Sequence, residues 1–195
     1  MITFQKIRWK NFLSTGDHWS EIDFLGHTTN LVVGTNGSGK STMLDALTFS
    51  LFNKPFRKIN KSQLINATNE KDCVVEVEFT VNNKDYLVRR SIKPNKFDIE
   101  VNGTLLHKES DDRLNQKILE ESILKVNYKS FTQIVILGSS SFVPFMQLST
   151  SNRRDVIEDL LDIRIFSAMN SLIKEKIRTA VSYTHLTLPT IRLVG

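Results

Sequence analysis

A glycine-rich loop followed by a lysine and two hydroxyl residues most constrains how this chain can fold. Residues 34–42 read GTNGSGKST and match the pattern G-x-x-x-x-G-K-[ST] in full. The glycines let backbone N–H groups curl around phosphate oxygens, because a Cβ there would clash. Lys40 can reach the β- and γ-phosphates, and the Ser41 hydroxyl suits Mg²⁺. The predicted nucleotide-binding residues are Gly34, Asn36, Gly37, Ser38, Gly39, Lys40, Ser41 and Thr42.

The segments on either side of the loop support this interpretation. Residues 29–33 form a short apolar run that predicts a strand, and residues 40–53 predict a helix with apolar residues on one side. The motif requires this context, because a helix N-terminus offers unsatisfied N–H donors and a partial positive charge to an anion.

The remainder of residues 1–151 predicts an α/β lobe with many short strands. The hydrophobic pattern predicts strands at 2–9, 19–24, 73–81, 86–92, 97–101, 104–106 and 131–137, and a helix over 111–126. Turn residues at 82–85 and at Asn102-Gly103 predict antiparallel hairpins. We therefore expect a mixed sheet around the P-loop helix, with an antiparallel β subdomain.

The pattern becomes helical from residue 152. Over 152–180, Phe166, Met169, Ile173 and Ile177 recur every three or four residues. This spacing fits the start of a coiled coil and an ordinary amphipathic helix equally well. Residues 181–195 contain no acid and break the pattern, so we expect them to be a non-native tail outside the fold.

Composition excludes several classes of protein. Cys73 is the only cysteine among 195 residues, so no internal disulfide is possible, which is typical of a reducing cytoplasm. No run approaches the roughly 18 apolar residues of a membrane span, and we expect no membrane partner. The four histidines have no cysteine at ligand spacing, so no zinc site is predicted.

The net charge of +5 favours an anionic partner, and two basic clusters are candidates for contact with duplex DNA. A solvated charged surface explains such clusters equally well. The candidate DNA-binding residues are Lys54, Arg57, Lys58, Lys61, Arg89, Arg90 and Lys93.

The surrounding sequence narrows the class of P-loop protein. A GTPase would carry an N-K-x-D motif. The Asn-Lys pairs at 53–54 and 83–84 lack the Asp two positions after the lysine, and the match NKFD at 95–98 lies inside the predicted hairpins. A small-molecule kinase stays an alternative, but it would need an acceptor pocket and a catalytic acid. Antiparallel hairpins inserted after the P-loop helix are typical of the nucleotide-binding lobes of ABC-type ATPases, which favours ATP.

Longer stretches carry a more specific resemblance. The runs IRWKNFLS at 7–14 and NLVVGTNGSGKSTMLDAL at 30–47 resemble the opening of SbcC-type DNA double-strand-break repair ATPases, a branch of the SMC/ABC class that includes T-even phage members. FTQIVILG at 131–138, FVPFM at 142–146 and RRDVIEDLL at 153–161 are similar to the stretch that leads from that family's first lobe into its coiled coil. The resemblance covers about residues 1–178.

The resemblance implies an ATPase that processes DNA ends. Its expected partners are a C-terminal lobe of the same protein, a second head in a homodimer, an SbcD-type nuclease and double-stranded DNA. Family members place a Mg²⁺-contacting glutamine where this chain has Ser139, which makes the Ser139 hydroxyl a candidate second Mg²⁺ contact. Some members carry a basic residue at the position of Leu13. An SMC-type chromosome-organising ATPase without a nuclease remains an alternative.

The elements that hydrolyse ATP are not found in the sequence. An ABC-type site needs an apolar strand ending in Asp-Glu and a Ser-Gly-Gly motif from the opposite side, and neither occurs here. We therefore expect a half site, an N-terminal fragment with no catalytic residue of its own, which binds ATP and Mg²⁺ but is nearly inactive alone.

Overall fold

A six-stranded antiparallel sheet forms the framework of the chain. The computed structural model describes residues 2–106, 111–136, 143, 145–161 and 163–187. The strands are β1 (Ile2–Lys10), β2 (Ser20–Asp23), β3 (Cys73–Val81), β4 (Lys84–Ile92), β5 (Lys96–Val101) and β6 (Thr104–Leu105). Their order is β2-β1-β3-β4-β5-β6, and every neighbouring pair is antiparallel.

One face of the sheet forms the core, because side chains alternate between the two faces of each strand. A row of aliphatic residues in register crosses five strands, namely Ile22, Ile7, Val77, Val88 and Ile99. On β3, Cys73, Val75, Val77 and Phe79 are fully buried, which confirms the alternation expected from the sequence.

Two tight turns set the register of the hairpins. Asn82 and Asn83 join β3 to β4 with φ of 50° and 61°, and Asn102 and Gly103 join β5 to β6 with φ of 49° and 78°. Positive φ at both central residues is the requirement of a type I′ turn, and Asn and Gly adopt it most readily. The predicted hairpins are confirmed.

The helices pack on the apolar face of the sheet and continue beyond it. They are α1 (Thr42–Phe52), α2 (Asp112–Lys117), α3 (Tyr128–Ile134), α4 (Thr150–Leu160) and α5 (Arg164–Thr187). Short 3₁₀ helices span Lys61–Leu64 and Phe145–Gln147, and a π-helix spans Ile118–Leu124. α1 is buried on several sides, with Ala46, Phe49 and Leu51 fully enclosed.

The strand predicted at 131–137 is wrong over its described part, because residues 128–134 form α3. Asn127 caps this helix by accepting a hydrogen bond from the Ser130 backbone N–H at 2.9 Å. Phe131 packs against Phe52 with ring centroids 5.1 Å apart, whereas Ile134 and Val135 are exposed. Burial therefore follows one helical face, and the β-branched run does not act as a strand.

The strand predicted at 29–33 is also absent, and the expected mixed sheet is antiparallel in the part of the chain that the structure describes. Leu31 is 87% exposed and Val33 is 81% exposed. A strand needs a neighbour to pair its N–H and C=O groups. No described strand lies beside this segment.

The helix predicted over 152–180 is divided in two. α4 ends at Leu160, and α5 begins at Arg164 and runs to Thr187, seven residues past the predicted boundary. Residues 188–195 lie outside the described residues. Phe166, Met169, Ile173 and Ile177 on α5 are all about half-exposed or more, and whether they form a coiled coil stays a prediction.

Candidate nucleotide-binding site

A cleft of about 510 Å³ opens beside the glycine-rich loop. Its wall includes six of the predicted nucleotide-binding residues: Asn36, Gly37, Gly39, Lys40, Ser41 and Thr42. The opposite wall comes from the segment after β1 and from the 3₁₀ helix with the residues after it, namely Leu13, Ser14, Gln63, Ile65 and Ala67. The sequence interpretation missed this second wall because it comes from segments far apart in the chain.

The loop curls through two glycines in the left-handed region. Gly37 has φ of 86° and Gly39 has φ of 92°, conformations that a side chain would strain. The Ser38 N–H donates to the Thr35 carbonyl at 3.2 Å, and the Thr42 N–H donates to the Gly39 carbonyl at 2.9 Å. These bonds hold the loop in a tight turn that leads directly into α1.

Lys40 lies across the loop. Its ammonium group donates to the Gly34 carbonyl at 2.6 Å and to the Thr35 carbonyl at 2.8 Å. Within the described ranges it forms no ion pair with a carboxylate. Its positive charge is therefore offset only by carbonyl dipoles, and an anion in the cleft would be attracted to it.

Ser41 and Thr42 begin α1. Ser41 occupies the N-cap position, and its side chain makes no capping hydrogen bond. Its hydroxyl therefore does not cap the helix, which is the usual role of a serine at this position. Thr42 is buried beneath the loop. Because Ser41 and Thr42 both line the cleft, the partly positive N-terminus of α1 lies at its wall.

An ion pair between a buried carboxylate and a partly exposed arginine links α1 to the cleft wall. The Asp45 carboxylate is fully buried and accepts hydrogen bonds from the Arg57 backbone N–H at 2.9 Å and from its Nε at 2.6 Å. Arg57 thereby lines the cleft. Next to it, the Tyr128 hydroxyl donates to the Pro55 carbonyl at 2.9 Å, and burial raises the pKa of Tyr128.

The other candidate DNA-binding residues have different surroundings. Lys54, Lys58 and Lys93 are exposed, and Lys61 lies in a second pocket. Arg89 forms an ion pair with Glu76, whereas Arg90 is 4% exposed and lies on the core face. The two neighbouring arginines thus point to opposite faces of the sheet. Ser139, the candidate second Mg²⁺ contact, lies outside the described residues.

No helix within the described ranges is both long enough and apolar enough to cross a membrane.

Comparisons with known proteins show the family of the chain. Residues 6–183 match the family model described as an AAA domain. The chain is 43% identical over 169 residues to exonuclease subunit 2 of Enterobacteria phage T4, covering 87% of this chain and 30% of that protein. It is 30% identical to the SbcC component of the nuclease SbcCD from Staphylococcus aureus strain MRSA252, covering 81% of this chain and 17% of that protein.

A solved structure shares the fold. It comes from work on ATP-driven dimerization and DNA-stimulated activation of SMC ATPases, and it matches with a TM-score of 0.56 and 25% identity. The match covers 81% of this chain and 99% of that one. The predicted fold class, an ABC-type P-loop lobe, is thereby confirmed.

The chain spans less than a third of the length of the two protein relatives described above. The similarity nevertheless includes both the glycine-rich loop and the helices that follow the sheet, and it confirms the resemblance to SbcC-type ATPases. The chain therefore belongs to the AAA domain family, whose model spans residues 6–183.

Proposed function

We propose that this chain is the ATP-binding lobe of an ATPase that controls a nuclease during DNA-end processing, recombination or repair in the cytoplasm. The observation that carries the proposal is the cleft beside the glycine-rich loop, with Lys40 and Ser41 at its wall. The relatives supply the biological setting, since they are an exonuclease subunit and a component of the nuclease SbcCD.

The residues around the cleft fit ATP with Mg²⁺. Bound ATP brings the bond that is hydrolysed, and Mg²⁺ would offset the charge of its β- and γ-phosphates. The loop N–H groups and Lys40 would hold those phosphates, and the Ser41 hydroxyl, which makes no capping bond, would bind the metal. Leu13 and Ile65 add apolar side chains to the cleft wall, against which a less polar part of the nucleotide would pack.

Nucleotide binding is tested by replacing the cation of the loop. Lys40→Ala is expected to weaken the binding of Mg-ATP at least about tenfold, because it removes the only lysine among the described residues at the cleft wall. Titration calorimetry on the whole chain measures the affinity. Lys84→Ala, which removes an exposed lysine at the start of β4, is the control and should leave the affinity unchanged. An equal affinity for Lys40→Ala would show that this loop does not hold the nucleotide.

A second lobe is proposed to complete the fold beside the loop. Residues 29–33 are apolar and precede the glycine-rich loop, yet Leu31 and Val33 are strongly exposed. Exposed apolar residues that no described strand covers are suited to pack against or pair with another element. We propose that strands of a C-terminal lobe cover them, and that this lobe or a second head in a dimer supplies the catalytic glutamate.

The nuclease is proposed to dock at the base of α5. An apolar groove of about 640 Å³ lies between the 3₁₀ helix Phe145–Gln147, α4 and α5. Met146 is 76% exposed and Phe166 is 65% exposed on its rim. The relationship to SbcCD favours an SbcD-type nuclease as the occupant.

Copurification separates this function from that of an SMC-type ATPase that acts without a nuclease. The whole chain is expected to retain an SbcD-type nuclease on an affinity column, and Phe166→Ser is expected to lose it. Leu172→Ser removes an equally exposed apolar residue further along α5 and is the matched control. If the wild-type chain retains no nuclease, the SMC alternative is favoured.

DNA contact is proposed for the exposed lysines of the basic clusters, Lys54, Lys58, Lys61 and Lys93. Arg57 and Arg89 are already engaged by Asp45 and Glu76. Arg90 is not part of this exposed set, because its side chain is 4% exposed and lies in a pocket.

A further inference from the structure

A basic pocket lies at the opposite end of α1 from the nucleotide cleft. It has a volume of about 270 Å³ and contains four cationic residues, Lys61, Arg90, Lys96 and Arg113, beside one acid, Asp112. These residues come from the 3₁₀ helix Lys61–Leu64, from β4 and β5, and from α2. Their separation in the sequence explains why no motif pointed to the pocket.

Arg90 gives the pocket a fixed cationic floor. Its Nε donates to the Ser50 carbonyl at 3.0 Å, and one terminal nitrogen donates to Gln116 Oε1 at 2.6 Å. The guanidinium carbon lies 3.6 Å from the centroid of the Phe97 ring. A guanidinium that is held on three sides loses little further freedom when it binds an anion.

The positive charge in the pocket is not balanced. Among the described residues, none of the four cations forms an ion pair with a carboxylate. Asp112 reaches Lys61 only through Asn95, whose side chain accepts from Lys61 at 3.3 Å and donates to Asp112 at 3.3 Å. Burial and then the Arg90 charge lower the pKa of Lys61, and the Asp112 carboxylate offsets them only in part.

We propose that this pocket binds a phosphate group, and that its source is the backbone of double-stranded DNA. Concave, cationic walls suit a phosphate because Arg and Lys donate charge-assisted hydrogen bonds to its oxygens. Lys96 and Arg113 are exposed at the rim and meet the approaching phosphate, and Arg90 lies beneath it. The DNA source rests on the proposed function, whereas the phosphate site itself does not.

The pocket is separate from the nucleotide cleft. α1 has 11 residues, so its two ends are about 16 Å apart. The cleft lies at the Ser41 end, and the pocket lies at the Asn53 end. Variants at the pocket rim are therefore expected to leave the affinity for ATP unchanged.

The test compares two double variants of the whole chain with equal loss of charge. Lys96→Gln/Arg113→Gln changes the rim of the pocket, and Lys84→Gln/Arg178→Gln removes one exposed lysine and one exposed arginine elsewhere. Fluorescence anisotropy with a duplex of about 20 base pairs is measured from low to moderate salt. The rim variant is expected to weaken binding at least about threefold and to reduce the slope of log K against log salt by about one, since the pocket holds one phosphate and each phosphate contact contributes about 0.9.

A second arm of the experiment identifies the source of the phosphate. Thermal melting with millimolar inorganic phosphate is measured in a Lys40→Ala background, so that the nucleotide cleft does not contribute. Suppose that phosphate raises the melting temperature, that the rim variant abolishes this rise, and that the rim variant leaves the DNA affinity unchanged. The ligand of the pocket is then free phosphate and not the DNA backbone. If the rim variant matches the control in both arms, the pocket is not a phosphate site. Failure of the proposed nucleotide site would instead show in calorimetry with ATP and leave these results unaltered.

Discussion

At the scale of single residues, Cys73 is a thiol enclosed by the core. Its side chain is fully buried, and the sulfur lies 3.8 Å from the Leu64 carbonyl to which its S–H donates. Burial raises the pKa of the thiol from 9.0 to about 12. Since the thiolate is the nucleophile, the folded chain should hold this cysteine in an inert form.

We expect Cys73 to react with a thiol reagent at pH 8 only when the chain unfolds. The same pKa shift predicts how stability depends on pH. The thiol of the unfolded chain ionises above pH 9, whereas the thiol of the folded chain keeps its proton to about pH 12. The contribution of this thiol to stability is therefore complete below pH 9 and is lost as the pH rises from 9 to about 12. Urea unfolding should show a loss of about 1 kcal/mol between pH 8 and pH 10 from this group.

Cys73→Ala is the control for this pH dependence. The variant is expected to be less stable at every pH, since part of a buried side chain is removed. Between pH 8 and pH 10, however, its free energy of unfolding should lack the decrease that comes from ionisation of the cysteine. Identical pH profiles for the two proteins, or rapid labelling of the folded chain, would contradict the burial of this thiol.

At the scale of elements, the outer face of the sheet carries a row of alternating charge. In register across five strands lie Glu21, Arg8, Glu76, Arg89 and Asp98. Glu76 in the centre is 2% exposed and bridges Arg8 and Arg89, with Arg8 Nε 2.5 Å from one carboxylate oxygen. The hydrogen bond from Arg89 to Glu76 raises the pKa of Arg89. The row therefore neutralises the charge that the sequence presented as part of a basic cluster.

Glu76→Gln should destabilise the chain by about 1–3 kcal/mol, because it leaves two arginines facing each other across β3 without a counter-charge. The cost stays below that of breaking a fully buried ion pair, since the side chains of Arg8 and Arg89 are 33% and 40% exposed and can turn to water. Chemical denaturation at low salt measures the change in the free energy of unfolding.

Glu78→Gln is the matched control two residues further along the same strand and face. Glu78 lies opposite Lys6 and Leu87 and forms no ion pair within the described ranges. Its replacement should change stability by less than about 0.5 kcal/mol. Equal effects at the two positions would mean that the bridge contributes nothing beyond a surface charge.

At the scale of the whole molecule, the cleft beside the glycine-rich loop is lined by groups suited to hold phosphates, and none of the described residues at its wall is suited to activate water. Among the described residues, no carboxylate lines the cleft. Asp45 lies nearby, but it is fully buried and bound to Arg57. Phosphoryl transfer depends on positioning and electrostatic stabilisation, and one missing element supplied in trans can cost on the order of 10³ in rate.

The chain alone is therefore expected to bind ATP and to release phosphate hardly at all. Steady-state phosphate release from the purified chain measures this, with Lys40→Ala as the control for contaminating ATPases. Addition of the C-terminal lobe should raise the rate, and DNA should raise it further. A rate near about one per second from the chain alone, abolished by Lys40→Ala, would require a complete active site within these residues and would favour a metabolic enzyme.

Much of the molecule follows from local sequence. The alternation of apolar and polar residues identified β3 and its buried face. The Asn-Asn and Asn-Gly pairs identified two hairpins, because a positive φ at both turn positions is a requirement of the local sequence. The glycine-rich loop was identified for the same reason, since its chemistry is contained in nine consecutive residues. The boundaries of α1 differ from the prediction by one or two residues at each end.

The tertiary structure decided what depends on distant neighbours. The sequence of residues 29–33 predicts a strand, but a strand needs a partner that the described part of the chain does not supply. Phe131 belongs to a helix, and Phe52 and Phe4 pack against its ring. Arg89 and Arg90 are adjacent in sequence, yet one bridges to Glu76 outside and the other forms the floor of a pocket. Sequence alone determined the turns, the alternation and the phosphate loop, whereas burial and charge pairing were decided only when segments far apart in the chain came together.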